Sequence, residues 1–393
     1  MNPSPEDAMK SFTHLIWEID FGLKSMEHEM KGMWIQVLAV SMITGAVCTG
    51  MGSFLALYIA AKAGKSIAAA NVLEKFQLLW IGIDQMLFSK DKKFKIEPAL
   101  SLAEVEKMRK ENKVAGLPAR RIVFIRHGES DWNEVFNRGF GADFPGRLFM
   151  ALKRELELLP TGDSVFFDSS ISETGLQQAI SMASKLKEID REETSMLLHG
   201  NTKSRSNSII VCSNLRRSIQ TALVGLKHRL ELTGEHVHVM TALQEVTFNV
   251  DGIALAHPGQ SPDLSAHLLP YFPKNFDSTA SLNNSMNSGN KSIDSNGSKR
   301  IHEFLQWAFE QYPTKQDPSS GLPTIVIAGG HSLYLRYLLK MLLPSDYDYA
   351  GKSKKLSNCG VLGFTVHQNQ GNSRGSMYYI DPESISMISG SWS

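Results

Sequence analysis

Three times along the chain a short, continuous apolar run gives way to a tight turn and then to apolar residues at helical spacing. The runs are RIVFI (121–125), SIIVC (208–212) and TIVIA (324–328). Apolar runs of this length, bounded by polar turns, fit strands buried on both faces of a parallel sheet. NCGVLGFTV (358–366) and the stretch 376–380 predict further strands that complete the sheet. The repeated strand–turn–helix order predicts an α/β fold, a three-layer α/β/α sandwich with a mostly parallel sheet.

A different pattern occupies the amino end. From Gly32 to Ala61 there is no charged residue, and the stretch is long enough for a bilayer core of ~30 Å, which takes about 20 residues. Trp34 and Tyr58 stand near its ends, as interfacial aromatics do. This predicts a tail over 1–32 and a single transmembrane helix over 33–61. A cleaved signal peptide and a buried core helix are the competing readings. The tail carries Lys10, Lys24 and Lys31 against six carboxylates, whereas Lys62, Lys65, Lys75, Lys90, Lys92, Lys93 and Lys95 follow the apolar stretch. The more basic side stays cytoplasmic, so the expectation is a single-pass membrane protein with its larger part facing the cytosol; in a mitochondrial membrane the side is open. Ser41, Gly45, Thr49 and Ser53 recur at every fourth position, a spacing that permits homodimerisation and that membrane helices also show generally.

Residues 62–115 read as a helical juxtamembrane linker, dense in apolar groups between Phe76 and Phe88 but interrupted by Asp84. Either a membrane-surface helix or a helix packed on the following domain fits. Gly116 and Pro118 mark the start of a catalytic domain over 116–393. The net charge of +1 excludes a general polyanion surface, and no nucleic-acid partner is expected. Three cysteines form no disulfide framework. Residues 275–300 are rich in Ser and Asn with almost no apolar content, which predicts a disordered insertion. Residues 138–167 form a second insertion with several basic and aromatic residues; it roofs a substrate pocket or is a surface elaboration.

The chemistry gathers where the three buried strands end. Arg126 and His127 follow the first, Arg216 and Arg217 the second, His331 the third. Ligands of open α/β sheets bind outside the carboxyl ends of the strands. Two histidines and several arginines delivered there make an anion pocket, helped by backbone N–H groups of the following helices. A neutral imidazole can attack phosphorus, and guanidinium forks can hold phosphate oxygens.

At this point the chain resembles the histidine phosphatase superfamily, also called phosphoglycerate mutase-like. The pieces that carry the resemblance are RHGESDWN (126–133), DSSISETGLQQA (168–179), SNLRRSIQTA (213–222), LQE (243–245) and GGHSLYLR (329–336), in the family's order across 116–370. The resemblance implies His127 as the nucleophile that becomes phosphohistidine, Arg126 and Arg217 as phosphate clamps, and His331 as the second pocket histidine. It places Glu245 at the general-acid position and Asn133 at a position lining the phosphate, with Arg216 facing solvent. No metal and no cofactor are implied, and no metal-ligand spacing is present. Two departures matter. Ser332 replaces the glycine usual after the second histidine, and 246–252 (VTFNVDG) lacks the Arg-containing stretch of the mutases. The expected function is therefore a membrane-anchored phosphomonoester phosphatase acting through phosphohistidine. The architecture is similar to that of the family's mitochondrial serine/threonine phosphatase, so the substrate is a phosphoprotein or a phosphorylated small molecule. The alternatives are a phosphoglycerate-type mutase and a scaffold that binds phosphorylated ligands.

Overall fold

A computed structural model describes residues 66–96, 100–110, 117–200, 208–262, 280–311, 324–368 and 378–393, together with Ala60, Ala61, Gly64, Leu264, Leu268 and Tyr271. The chain divides into two units, Met1–Leu79 and Trp80–Ser393. Among the described residues no helix is long and apolar enough to cross a membrane. The predicted transmembrane stretch 33–61 lies, apart from its last two residues, outside them.

In chain order the described elements begin with α1 (Ile67–Phe88), α2 (Leu102–Lys110), β1 (Ala119–Arg126), α3 (Asp131–Phe136), α4 (Phe144–Leu158), α5 (Glu173–Lys187) and α6 (Glu192–His199). They continue with β2 (Ser208–Ser213), α7 (Arg216–Gly225), α8 (Lys227–Thr233), β3 (Val237–Met240), β4 (Leu282–Met286) and α9 (Gly297–Gln306). The last are β5 (Thr324–Gly330), α10 (Ser332–Leu342), β6 (Val361–Gln368), β7 (Tyr378–Ile380) and β8 (Ser386–Ser389).

The strands form one sheet in the order β4-β3-β2-β5-β1-β6-β7, with β8 on β6. The pairs from β4 across to β1 are parallel; β6 runs antiparallel to β1, β7 and β8. Side chains alternate across a strand, and both faces are covered. Val123, Ile125, Ile210 and Cys212 join a core with Leu176 of α5 and Ile219 and Leu223 of α7. Ile122, Phe124, Val211 and Ala328 join the other, with Ile301 and Phe304 of α9 and Leu335 and Leu338 of α10. The result is helix, sheet, helix. β5 lies between β1 and β2, in register Arg126↔Gly330 and Cys212↔Gly329, so the three chemistry-bearing turns are immediate neighbours.

One expectation is corrected here. The stretch 275–300 is not a disordered insertion where it is described, over 280–300: it supplies β4, the start of α9 and the buried residues Asn287, Lys291 and Arg300. Its order comes from polar satisfaction together with Leu282 in one core and Met286 packed on the other. Asn214 Nδ2 donates to Asn287 Oδ1 (3.1 Å) and to the Gly289 carbonyl (2.8 Å), and Ala254 N–H donates to Asn290 Oδ1 (2.6 Å). The second unit begins at Trp80, ahead of the domain start expected at 116. Val105 is buried, Arg109 bonds Asp381 at 2.5 Å, and Asp91 is buried against the unit's interior. The described residues 80–96 and 100–110 thus belong to the second unit.

Candidate active site

The turn after β1 is shaped by two facing glycines. A Cβ on Gly128 would stand 2.7 Å from the Gly175 carbonyl oxygen, and one on Gly175 would stand 2.0 Å from that of Glu129. Ser172 caps α5 by accepting from Gly175 N–H (3.1 Å). The first turn of α5 therefore packs directly against the turn that carries His127, whose own N–H donates to the Gly330 carbonyl (3.0 Å).

His127 and His331 face each other with ring centroids 5.0 Å apart and planes inclined by 59°. Both are buried. Nδ1 of His127 lies 2.5 Å from the Gly128 carbonyl. A carbonyl only accepts, so Nδ1 carries the proton and the lone pair is on Nε2. Burial, reinforced by the Arg217 and Arg126 charges, pushes its pKa well below the ordinary 6.5, against the opposing pull of the Gly128 bond. Burial and then Arg217 and His127 lower His331 in the same way. His331 Nε2 lies 2.8 Å from Ser213 Oγ at the end of β2, while its Nδ1 is buried with no hydrogen-bond partner.

Two guanidinium groups stand beside the histidines. Arg126 donates from Nη1 to the Leu356 carbonyl, and its buried Nε has no partner. Burial lowers its pKa to about 10, opposed by Glu245. Arg217 donates from Nη1 to the Asp251 carbonyl (2.7 Å), and its Nη2 pairs with the Asp251 carboxylate at 3.2 Å. Glu245 follows the short helical turn 241–243, and its Oε1 accepts from Val246 N–H and from Tyr334 N–H in the first turn of α10, both at 3.0 Å. Burial raises its pKa above the ordinary carboxyl value, against the Arg217 charge and those two bonds. Asp251 is raised by burial likewise, opposed first by Arg217. Arg336 on α10 is half-buried at the same site, its Nε without a partner and its charge coupled to Glu245.

Of the residues singled out in the sequence, Arg126, His127, Arg217, Glu245 and His331 come together. Asn133 lies in the first turn of α3. Its N–H donates to Ser130 Oγ (3.2 Å) and its Oδ1 accepts from Ser130 N–H (3.4 Å), which makes a capping box for α3. Arg216 is corrected: it is fully buried, not solvent-facing. Its Nε donates to the Asp168 carbonyl and its Nη2 to the Ser164 carbonyl, both at 2.7 Å, and its Nη1 pairs with the Asp163 carboxylate. The DSSIS stretch is thereby tied to α7, an attachment completed by Ile171 N–H donating to Gln220 Oε1 (2.8 Å). Ser213 and Asp251 were not anticipated as site residues. Ser213 opens the SNLRRSIQTA motif and Asp251 lies in the 246–252 stretch, yet a serine ending a strand and an aspartate in a loop carry no signal of their own. The insertion 138–167 holds its basic residues in local ion pairs, Arg138 with Glu129 (2.6 Å) and Arg154 with Asp131 (3.3 Å). Among the described residues no group of three or more His, Cys, Asp or Glu side chains is arranged to hold a metal ion.

No family model matches the chain, and no curated protein matches it. Solved structures that resemble it include a mycobacterial glucosyl-3-phosphoglycerate phosphatase with VO3, 17% identical, covering 67% of this chain and 97% of that one at a TM-score of 0.32. Phosphoglycerate mutase from Bacillus anthracis is 16% identical, with coverage of 68% and 93% and a TM-score of 0.33. A phosphoserine phosphatase from Entamoeba histolytica in complex with 3-phosphoglyceric acid is 16% identical, with coverage of 62% and 90% and a TM-score of 0.30. At these values the likeness decides nothing, and the chemistry rests on the chain's own residues.

Proposed function

We propose that the protein is a phosphomonoester phosphatase of the histidine phosphatase superfamily that works through phosphohistidine. The observation that carries this reading is a buried His127 whose Nδ1 is held by the Gly128 carbonyl of its own turn, with its pKa lowered by burial and by the charges of Arg217 and Arg126. Two buried nitrogen atoms beside it, Arg126 Nε and His331 Nδ1, are left for oxygen ligands. A phosphate monoester dianion supplies such oxygens and the negative charge that this cluster of cations favours.

In the first step the Nε2 lone pair forms the N–P bond as the P–O bond to the leaving group breaks. The leaving alkoxide takes the proton of the Glu245 carboxyl group, which burial keeps protonated to higher pH than usual. In the second step water attacks phosphorus, the N–P bond breaks, and Glu245 takes the proton released by the water. Inorganic phosphate leaves and His127 returns to the neutral state. The charge spread over the phosphoryl oxygens is met by groups already in place, so catalysis is mainly positioning and preorganised charge.

We infer a single-pass membrane anchor over 33–61 from its sequence, with the catalytic unit toward the cytosol and a phosphoprotein or a phosphorylated small molecule as substrate. The test is hydrolysis of an aryl phosphate by the full-length chain, wild type beside His127→Ala, with a chelator present. Turnover that resists the chelator and disappears in the variant supports the reading. Equal turnover in both proteins would sink it.

A further inference from the structure

Glu245 can give up its proton to the leaving group only if the loop that carries it is held still. That loop is held from an unexpected direction. Asp91, between α1 and α2, is 1% exposed and makes ion pairs with Lys291 (2.6 Å) and Arg300, each 3% exposed. Both cations reach on to the backbone around Glu245. Lys291 Nζ donates to the carbonyls of Glu245 and Thr247, both at 2.7 Å, so all three of its protons are placed. Arg300 Nη2 donates to the carbonyls of Gln244 (3.1 Å) and Glu245 (3.3 Å). Asp91 closes the arrangement by accepting from Thr247 N–H at Oδ2 (2.9 Å), and its own carbonyl accepts from Gly297 N–H (3.0 Å).

We propose that Asp91 is a positioning residue for the general acid: its carboxylate fixes Lys291 and Arg300, and they fix residues 244–247 so that Glu245 faces the leaving group. The proposal rests on the phosphohistidine reading of the site. The geometry gives it a definite sense. An amide at position 91 would turn a donor toward an ammonium or a guanidinium that is buried, and the two cations would then pull the loop's carbonyls into another arrangement. Neither Asp91 nor Lys291 is within the strand-end motifs, and Asp91 comes from a part of the chain that precedes the whole sheet. The segment 89–94 thus completes the acid half of the site.

The experiment compares two substrates on the full-length chain: an alkyl phosphate, whose departure needs a proton, and 2,4-dinitrophenyl phosphate, whose departure does not. Wild type, Glu245→Gln, Asp91→Asn and Lys291→Met are measured side by side, with His127→Ala as blank. Asp91→Asn is expected to lower the alkyl-to-aryl ratio of kcat/KM, which reports the phosphoryl-transfer step and not the later hydrolysis, by about 10²-fold, as Glu245→Gln does. Loss of folded protein lowers both rates together and leaves the ratio alone, so a partly folded variant still answers the question. Where Asp91→Asn gives no folded protein, Lys291→Met decides in its place, because it removes the two bonds to the loop carbonyls. An unchanged ratio in Asp91→Asn or its substitute, with the ratio shifted in Glu245→Gln, overturns the positioning role and leaves the site reading intact. An unchanged ratio in Glu245→Gln overturns the acid assignment and the role of Asp91 with it. His127-independent turnover overturns the phosphohistidine reading itself.

Discussion

Arg216 and Arg217 are adjacent in sequence and opposite in consequence, and replacing each by methionine separates the two roles. Arg216 is fully buried, with Nε and Nη2 on the carbonyls of Asp168 and Ser164 and Nη1 on the Asp163 carboxylate. Methionine fills much of the stem's volume but leaves two buried carbonyls without donors and a largely buried carboxylate without its cation. Breaking a buried pair by removing one partner costs about 3–5 kcal/mol, a large part of a total stability of about 5–15 kcal/mol. Arg217 is also buried, but its charge opposes that of Arg126 and disfavours protonation of His127 and His331, so its removal relieves repulsion. Its partner Asp251, already raised by burial, can take up a proton once the guanidinium is gone. Arg217→Met is therefore expected to cost less stability than Arg216→Met while removing a transition-state clamp worth roughly 10²–10³-fold in turnover. Urea midpoints from near-ultraviolet circular dichroism and initial rates corrected for folded fraction measure both. An Arg216→Met protein as stable as Arg217→Met, or an Arg217→Met protein with wild-type turnover, would refute the assignment of the two side chains.

Gly175→Ala places a methyl group 2.0 Å from the Glu129 carbonyl oxygen, so backbone must shift; a loss of about 1–3 kcal/mol and a disproportionate fall in turnover are expected. Gly146→Ala in α4, where a Cβ meets nothing within 4 Å, is the control, and equal melting temperatures for the two variants would count against the close approach. Acid stability tests His331: its folded pKa is depressed, so between pH 6.5 and that folded value the unfolded chain binds the extra proton and stability falls with pH. The wild type should lose up to about 1.4 kcal/mol per pH unit relative to His331→Asn in that window. The raised carboxyls Asp131, Asp168, Glu245 and Asp251 act in the opposite sense but in both proteins alike. Parallel urea midpoints from pH 7.5 to 5 would contradict the neutral buried histidine.

Much of the site was legible because strand ends announce themselves. An apolar run followed by Arg-His-Gly, Arg-Arg or Gly-Gly-His states both the element and what stands at its end, and the register of β1, β5 and β2 then joins the three. What was not legible depended on direction and on distance along the chain. Residue type alone did not show which of two adjacent arginines turns inward to Asp163 and which turns to Asp251; both are buried, and only the partners differ. The stretch 275–300 hides, behind its low apolar content, the order that the structure shows over 280–300. Its Asn287, Asn290 and Lys291 are held by hydrogen bonds to residues 214, 254 and 244–247. Asp91 carried no local signal: its meaning lies in Lys291 and Arg300, some two hundred residues away.

The short contact between His127 Nδ1 and the Gly128 carbonyl also settles a question of regiochemistry. An imidazole has two nitrogen atoms that can carry phosphorus, and free histidine yields both phosphoramidates. Here one nitrogen is tied to the backbone of its own turn, and that turn is wedged by Gly175 of α5. The ring can neither flip nor exchange tautomers without breaking that bond inside a packed junction. A phosphoryl group accepted by His127 would therefore be borne on Nε2 alone, as a single isomer fixed by the loop's covalent neighbour.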